Sequence, residues 1–400
     1  MGRRARIGID CLYAIPGKTF GTWVFAKSLV EEITSLDGEN EYFVFVNSLA
    51  ARDFWLERPN VRFITSHLAS WSVGARLGYQ NLLLPFLARW HGLDLLHSLG
   101  NYGPLRPLVR SVVTVHDLLP FFDHQSSHQF GPRGRAAGLD FLMRQSLRGA
   151  DRIAVDSEFT RRGLVARYPF TAEKIRVIHA GLPRRRTPIC LEPANVDKVL
   201  ARHGVRRPYI LAVGLSLPHK NIERLIEAFA RLKREPRILR QLVLVGEAGA
   251  NRENLLAAVR QCGVQDDIVF TGFVGDGGLA ALYAAAGLFV FPSTMEGFGL
   301  PLLEAMASRT PVVCSNAGPL PEVAGDGALL FDPLDVGDMA RAIKQVLQDP
   351  SLRARLVACG LKRVELFSFR RAAEATLELY NDVLRSKSGL GSSEDVRCSK

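Results

Sequence analysis

The sequence of 400 residues is poor in cysteine and lacks several short motifs by which metal- and nucleotide-binding proteins are recognised. Its six cysteines are scattered, without CxxC pairs or nearby histidines. Neither a zinc site nor a disulfide framework is therefore predicted, and a reducing, cytoplasmic compartment is expected. The first apolar run, ARIGID, is not followed by GxGxxG, and GxxxxGK[ST] is absent, so a dinucleotide-dependent oxidoreductase or epimerase and a P-loop enzyme are both disfavoured.

A continuous membrane-spanning run is also missing. The uncharged stretch 277–295 is interrupted by glycines and by Pro292, and it is interpreted as a helix, a turn and a buried strand. The basic opening MGRRARIGID lacks the length and the cleavage site of a signal peptide. The net charge of +11 is dispersed and accompanies no nucleic-acid-binding motif, so no nucleic-acid partner is expected. A positive surface equally suits phosphate-bearing substrates or the anionic face of a membrane.

Short apolar runs alternate with amphipathic stretches over residues 5–178 and again from residue 208. This alternation is typical of mostly parallel sheets covered on both faces. The predicted fold class is therefore α/β, with two Rossmann-like, doubly wound domains that face a cleft, where ligands lie at the carboxyl ends of the strands. The predicted parts are a first domain at 1–187, a linker at 188–207, a second domain at 208–366, a helix at 367–386 that crosses back to the first domain, and a disordered tail at 387–400.

The segment from Glu296 to Glu304 carries the densest functional signal. It follows an apolar strand, places Gly297 and Gly299 in a loop and leads into a helix. Glycines let backbone N–H groups approach a ligand, and a helix start offers unpaired N–H donors, so the pattern predicts a diphosphate site. The two carboxylates could bind a sugar hydroxyl and the ribose hydroxyls. Alternatively, these acids only complement the helix dipole.

The residues around this segment resemble a known family. EGFGLPLLEAMASRTPVVCSNAGPLPEVAGDGALLFDP is similar to the donor-binding region of the GT-B glycosyltransferases of family four (glycosyl transferases group 1), whose signature of two glutamates separated by seven residues fits Glu296 and Glu304. The similarity extends over nearly the whole chain, through AVGLSLPHKNIERLIEAFA, TGFVGDGGLAALYAAAGLFVFPS, VHDLLP and DRIAVDSEFTRRGLVARYPFTAEKIRVIHAGL. It implies a GT-B fold and the retaining transfer of a sugar from a nucleotide diphosphate to an acceptor.

The resemblance also implies roles at the donor site. Glu296 would contact the donor sugar, and Glu304 would hold the ribose. Lys220, in the loop after the first strand of the second domain, would neutralise charge on the leaving diphosphate, although it could instead be a solvated lysine. The backbone that would receive the distal phosphate and the sugar is that of Gly297, Phe298, Gly299 and Leu300.

Further positions are assigned in the same way. His116 and Asp117 end the run SVVTV, so they should emerge at the cleft. A role at the donor sugar or the acceptor is expected for His116, whereas Asp117 could only orient the loop or the imidazole. Gly21 and Thr22, in the turn after the first strand, are expected near the donor phosphates and the acceptor. Phe273 and Val274 would contact the nucleotide base through their backbone.

Two departures from the family pattern concern the phosphate loop. The family usually has arginine where this chain has His219, and some relatives have another arginine where Leu215 follows Gly214. Lys220 is therefore expected to carry more of the phosphate contact, with Gly214 and His219 as donor-loop residues. Asn316, Pro321 and Glu322 are expected to shape the pocket floor. For Glu322, a structural role and a ligand-binding role are equally expected.

The absence of any Asp-x-Asp pair removes the ligands by which the other large glycosyltransferase fold clamps a metal-bound diphosphate. No metal and no other cofactor is expected. GDP-mannose is the first choice of donor, with UDP- or dTDP-sugars and a non-catalytic sugar-nucleotide-binding protein as alternatives. The acceptor would be a glycan or a lipid-linked glycan of polysaccharide biosynthesis. Arg184–Arg186 and the positive charge allow peripheral contact with the inner face of the membrane, but also suit a solvated loop. The oligomeric state is left open.

Overall fold

The computed structural model describes residues 4–16, 20–54, 56–67, 73–118, 133–183, 192–215, 217–234 and 241–386. The predicted disordered tail at 387–400 and the basic loop Arg184–Arg186 lie outside these residues. Leu215 lies at the end of one described segment and Gly21 near the start of another.

Two parallel sheets form the framework. The first has seven strands in the order β3-β2-β1-β4-β5-β6-β7, and the second has six in the order β10-β9-β8-β11-β12-β13. The predicted α/β class with two doubly wound domains is therefore confirmed. The strands are β1 (Arg6–Asp10), β2 (Glu41–Asn47), β3 (Val61–Ser66), β4 (Leu95–Ser98), β5 (Arg110–Val115), β6 (Arg152–Val155), β7 (Ile175–Val177), β8 (Tyr209–Val213), β9 (Gln241–Val245), β10 (Ile268–Gly272), β11 (Leu288–Phe291), β12 (Val312–Ser315) and β13 (Leu329–Phe331).

Helices connect the strands and cover both faces of each sheet, as parallel topology requires. The helices are α1 (Phe20–Leu36), α2 (Ala51–Phe54), α3 (Val73–Gly78), α4 (Leu84–Trp90), α5 (Arg133–Gly149), α6 (Glu158–Arg167), α7 (Pro193–Arg202), α8 (Ile222–Lys233), α9 (Arg252–Cys262), α10 (Asp276–Ala285), α11 (Leu300–Ala307), α12 (Leu320–Ala324), α13 (Val336–Gln348), α14 (Pro350–Val364) and α15 (Phe369–Arg385). A π-helical turn, Tyr79–Leu83, joins α3 to α4.

The last helix returns to the first domain. α15 packs against α1, where the rings of Phe25 and Phe369 lie 5.7 Å apart, edge to face. Just before it, the N–H of Leu182 donates to the carbonyl of Phe367 at 3.2 Å. A side chain at Gly181 would meet the backbone of Ser368 at 2.1 Å, so this crossing requires glycine. The chain therefore crosses between the two domains twice at this place, once near Gly181 and once near Ser368.

The stretch predicted as a linker contains a helix. α7 begins at Pro193, buries Val196 and Leu200 and packs against α10. The uncharged stretch 277–295 forms most of α10 and then β11, as the helix, turn and buried strand interpretation required. None of the helices in the described ranges is long and apolar enough to cross a membrane.

Candidate active site between the two sheets

The loop after β11 turns sharply into α11 at Gly299. The φ of Gly299 is +109°, and a Cβ there would meet a methyl of Leu320 at 2.8 Å, so both the backbone conformation and the space favour glycine. The N-cap residue Gly299 has no side chain to cap α11, Pro301 has no N–H, and the N–H of Leu302 donates to the carbonyl of Gly299 at 3.0 Å. Of the first three residues of the helix, only Leu300 therefore has an N–H that could face an anion, at the positive end of the helix dipole.

Lys220 and Glu296 meet beside this loop. The lysine Nζ lies 2.7 Å from Glu296 Oε1, and the two side chains are 19% and 11% exposed. Gly214 lies under the lysine with a φ of +90°, and a Cβ there would touch Lys220 Cε at 3.4 Å. The lysine Nζ is also 5.6 Å from the ring centre of Phe291. A cation is thus held in a partly desolvated position next to the start of α11.

The main chain around Lys220 fixes the donor loop. The carbonyl of His219 accepts the N–H of Thr294 at 2.8 Å. The buried side chain of Asn221 donates to the carbonyls of Pro292 at 3.0 Å and Pro333 at 2.8 Å. Asn221 has a φ of 60°, a conformation that asparagine tolerates better than most residues. Sequence reasoning missed Asn221; an asparagine directly before an amphipathic helix was the available signal.

His116 lies at the carboxyl end of β5 and is buried. Its Nδ1 is 2.7 Å from Asp156 Oδ2, and its Nε2 is 2.6 Å from the carbonyl oxygen of Leu99. Burial acts to lower the pKa of His116, but the charge and hydrogen bond of Asp156 outweigh it, and the pKa is raised. With acceptors at both nitrogens, the ring is best satisfied as an imidazolium. In this structure both ring nitrogens of His116 are therefore hydrogen-bonded to groups of the first domain. The predicted contact of His116 with a sugar stays a prediction.

This arrangement makes stability depend on pH. Because the folded pKa of His116 is raised above its ordinary 6.5, its contribution is complete below 6.5 and is lost as the pH rises through the folded value. We expect Asp156→Asn to lower the free energy of unfolding by about 1–3 kcal/mol at pH 6 and to flatten this dependence. Chemical denaturation from pH 5.5 to 9 measures both. Burial lowers the pKa of His97 to about 3, so His97 takes up a proton on unfolding below about pH 6.5. That contribution is common to both chains and cancels in their difference; an unchanged pH profile in the variant contradicts the assignment.

The donor loop touches the first domain directly. A Cβ on Gly297 would lie 2.8 Å from the carbonyl oxygen of His116 and 3.3 Å from Cβ of Asp117. The hydroxyl of Ser157, the residue that caps α6, donates to the carbonyl of Gly297 at 3.4 Å. The structure therefore brings together Lys220, Glu296 and the 297–299 loop from one sheet with the 116–117 segment from the other.

Glu322 joins the domains a short distance away. Its carboxylate accepts the N–H groups of Glu158 at 2.8 Å and Phe159 at 3.2 Å, and it pairs with Nε2 of His179 at 2.9 Å. Burial acts to raise the pKa of Glu322, but these hydrogen bonds outweigh it and the pKa is lowered. Glu322 thus binds the start of α6 from across the cleft, which favours its structural interpretation. Asn316 is exposed and its N–H donates to Phe331, while Pro321 lies within α12.

The residues predicted to bind the nucleotide come from two separate parts of the second domain, α11 and the segment between β10 and α10. Glu304 is buried in α11 and accepts the hydroxyl of Tyr283 at 3.1 Å. Phe273 follows β10 with 59% of its side chain exposed, and its N–H donates to Glu247 at 3.3 Å. Val274 packs against the start of α10, within 2.7 Å of a Cβ placed on Gly278. The Phe273 N–H that was predicted to meet the base is therefore satisfied by Glu247 in this structure.

Gly21 and Thr22 lie in the first turn of α1, beyond the carboxyl end of β1. Gly21 is exposed, with nothing within 4 Å of a Cβ placed on it. The carbonyl of Thr22 accepts the Tyr13 hydroxyl at 3.5 Å. Within the part of the chain that the structure describes, no three His, Cys, Asp or Glu side chains converge as a metal-binding group.

Two family models match the chain in succession. The model described as Glycosyltransferase Family 4 matches residues 21–186, and the one described as Glycosyl transferases group 1 matches residues 198–363. An O-antigen chain mannosyltransferase B from Escherichia coli is 35% identical over 285 residues, covering 71% of this chain and 73% of that relative. The chain belongs to glycosyltransferase family 4.

Membership of family 4 makes the chain a glycosyltransferase and confirms the resemblance seen in its motifs. An MMP alpha-(1→4)-mannosyltransferase from Mycolicibacterium hassiacum is 38% identical over 199 residues, 48% of each chain. Among solved structures, a sucrose-phosphate synthase from Thermosynechococcus elongatus superposes with a TM-score of 0.75 at 22% identity, over 95% of this chain and 99% of that one. The last likeness shows the GT-B fold of this family 4 chain.

Proposed function

We propose that this glycosyltransferase moves mannose from GDP-mannose onto a glycan or lipid-linked glycan during polysaccharide biosynthesis, with retention of configuration and without a metal ion. The similarity to two proteins named mannosyltransferases, one of them of an O-antigen chain, supports the sugar and the pathway class. The proposed place of action is the cytoplasm, at the inner face of the membrane when the acceptor is lipid-linked.

The observation that carries the proposal is the contact between Gly297 and the His116–Asp117 backbone, with the Lys220–Glu296 pair beside it. A nucleotide sugar whose diphosphate lies between Lys220 and the first turn of α11 would place its sugar near Glu296. That sugar would also lie at the boundary with the first domain. Donor and acceptor could thus meet at one point supplied by both domains.

The proposed reaction is direct. The bond from the sugar C1 to the diphosphate oxygen breaks, and the acceptor oxygen bonds C1 on the same face. The acceptor proton passes to the departing diphosphate. The Lys220 ammonium and the N–H of Leu300, at the positive end of the α11 dipole, would stabilise the negative charge that develops on this leaving group. Glu296 would hold a sugar hydroxyl, and no residue serves as a covalent nucleophile.

A donor panel tests the function. The chain, with a mannose oligosaccharide as acceptor, is given GDP-mannose, UDP-glucose or dTDP-glucose, and the release of nucleoside diphosphate is measured with and without a chelator. We expect GDP release to be at least about tenfold faster than release from the other donors. Chelation should have no effect, and NMR of the product should show an α-linkage. Faster release from a uridine or thymidine donor overturns the choice of GDP-mannose. Thermal stabilisation by a sugar nucleotide without any turnover favours the non-catalytic alternative.

A further inference from the structure

The helical segment from the π turn Tyr79–Leu83 through α4 has two apolar faces, and only one of them is buried. Leu84 and Ala88 lie on the buried face, where they pack with Phe43, Phe45 and Leu96 of the first sheet. On the other face the side chains of four large residues are exposed by 67%, 44%, 67% and 79%, in chain order Leu82, Leu83, Phe86 and Trp90. We call these four residues the 82–90 ridge.

The ridge is a continuous stripe. Leu82, Phe86 and Trp90 follow one another at intervals of four residues, a spacing that aligns side chains on one side of a helix. With a rise of about 1.5 Å per residue, the stripe is roughly 12 Å long. Single exposed apolar residues are ordinary on protein surfaces, but a contiguous set that ends in tryptophan indicates an interaction surface.

Positive charge surrounds one end of the ridge. Arg89 precedes Trp90 and is exposed. The His91 ring lies 4.7 Å from the Trp90 ring and 5.3 Å from the Phe43 ring. The guanidinium of Arg62 lies over the same Phe43 ring, 5.7 Å from its centre. Burial lowers the pKa of His91, and the charges of Arg6 and Arg62 lower it further. Within the described residues, no carboxylate forms an ion pair with Arg62 or Arg89, although Glu41 pairs with Arg6.

The size of the ridge argues against a protein partner. Taking about 200 Å² for each large side chain, the four exposed fractions amount to roughly 500 Å². A stable dimer buries about 800 Å² on each partner. A narrow stripe of leucine, phenylalanine and tryptophan beside arginines matches instead a helix that lies in the interface of an anionic bilayer. Tryptophan prefers that depth because its ring is apolar while its N–H can reach water.

We propose that the 82–90 ridge is a membrane-docking surface that inserts into a bilayer bearing anionic headgroups, with Arg62 and Arg89 at the headgroup level. The proposal rests on the proposed function only in taking the acceptor to be lipid-linked. Since the π turn and α4 pack on the first sheet through Tyr79, Leu84 and Ala88, docking there would hold the first domain at the membrane. The donor domain would remain free to exchange nucleotides.

Vesicle co-sedimentation tests the surface without donor or acceptor. The full chain is mixed with phosphatidylcholine vesicles that contain about 30 mol% phosphatidylglycerol, or none. We expect binding to the anionic vesicles, reduced at least about tenfold by Phe86→Ser with Trp90→Ser. The matched control, Phe141→Ser with Leu334→Ser, removes two residues of similar exposure, one on α5 and one in the donor domain, and should bind like the unaltered chain. Arg62→Ser with Arg89→Ser should remove the preference for anionic lipid.

Three outcomes overturn the proposal. They are no vesicle binding by the unaltered chain, undiminished binding by the ridge variant, and a dimer in light scattering that the ridge variant abolishes while vesicles stay unbound. Failure of the proposed function looks different. In that case GDP-mannose is not turned over, yet the vesicle results stand. If both proposals hold, the ridge variant transfers mannose normally to a soluble oligosaccharide.

Discussion

Replacing Lys220 by alanine should lower turnover by about 10²- to 10³-fold, the usual cost of removing one group that stabilises charge in the transition state. The ammonium is 19% exposed and lies 2.7 Å from Glu296, so its charge acts in a partly desolvated environment. Glu296→Gln should cause a comparable loss, because the amide keeps the shape but loses the charge that holds the lysine. Initial rates of GDP release at saturating donor measure both.

The chain offers a matched control for this pair. Lys233 Nζ lies 2.8 Å from Asp267 in the same domain, and its side chain is similarly buried, at 17% exposed. Asp267 directly precedes β10, so this pair lies at the amino ends of the strands, opposite the site. Lys233→Ala should leave turnover within a factor of about two, although it removes an ion pair worth up to about 1 kcal/mol. Near-normal turnover in both Lys220→Ala and Glu296→Gln, with circular dichroism unchanged, would remove these residues from the site.

The two sheets could be predicted from the sequence because parallel strands that are buried on both faces consist of short runs of apolar residues. α8 and α9 can be recognised in the sequence for a similar reason, since each has apolar residues at helical spacing on one face. α7 was not predicted, because Pro193 was interpreted as part of a connecting loop. Proline at the first position of a helix costs no hydrogen bond, since the N–H it lacks would have no partner there.

Only those parts of the site that lie within short segments of the sequence were predictable. The loop from Glu296 to Gly299 and the neighbouring Lys220 have signals in glycine spacing and in the order of strand, loop and helix. The partners of His116 and Glu322 have none. Asp156 is 40 residues from His116, and the N–H groups that Glu322 accepts are more than 160 residues away. Such pairs arise from the packing of separate elements, so a single sequence predicts that His116 reaches the cleft but not that Asp156 occupies its ring nitrogen.

Gly297→Ala should lower turnover by about ten- to a hundredfold without weakening nucleotide binding. The added methyl would meet the carbonyl oxygen of His116 at 2.8 Å, and a backbone atom cannot move aside as a side-chain end can. The donor loop and the first domain must then separate by a few tenths of an ångström or more, and a misplacement of about 1 Å can cost about 10²-fold in rate. Turnover measured beside the GDP affinity from calorimetry distinguishes this effect from damage to the donor loop.

Gly277→Ala is the control for the added methyl itself. Gly277 is exposed in the first turn of α10, and nothing lies within 4 Å of a Cβ placed there. Alanine is also the better helix former, so this variant should keep full turnover and gain slightly in stability. If Gly297→Ala lost GDP affinity as strongly as turnover, the methyl would be acting within the donor loop. If it kept normal turnover, the close approach of Gly297 to His116 would not be the geometry in which transfer occurs. Reduced turnover with unchanged GDP affinity is the expected result, because the methyl lies against the first domain and not between Lys220 and the start of α11.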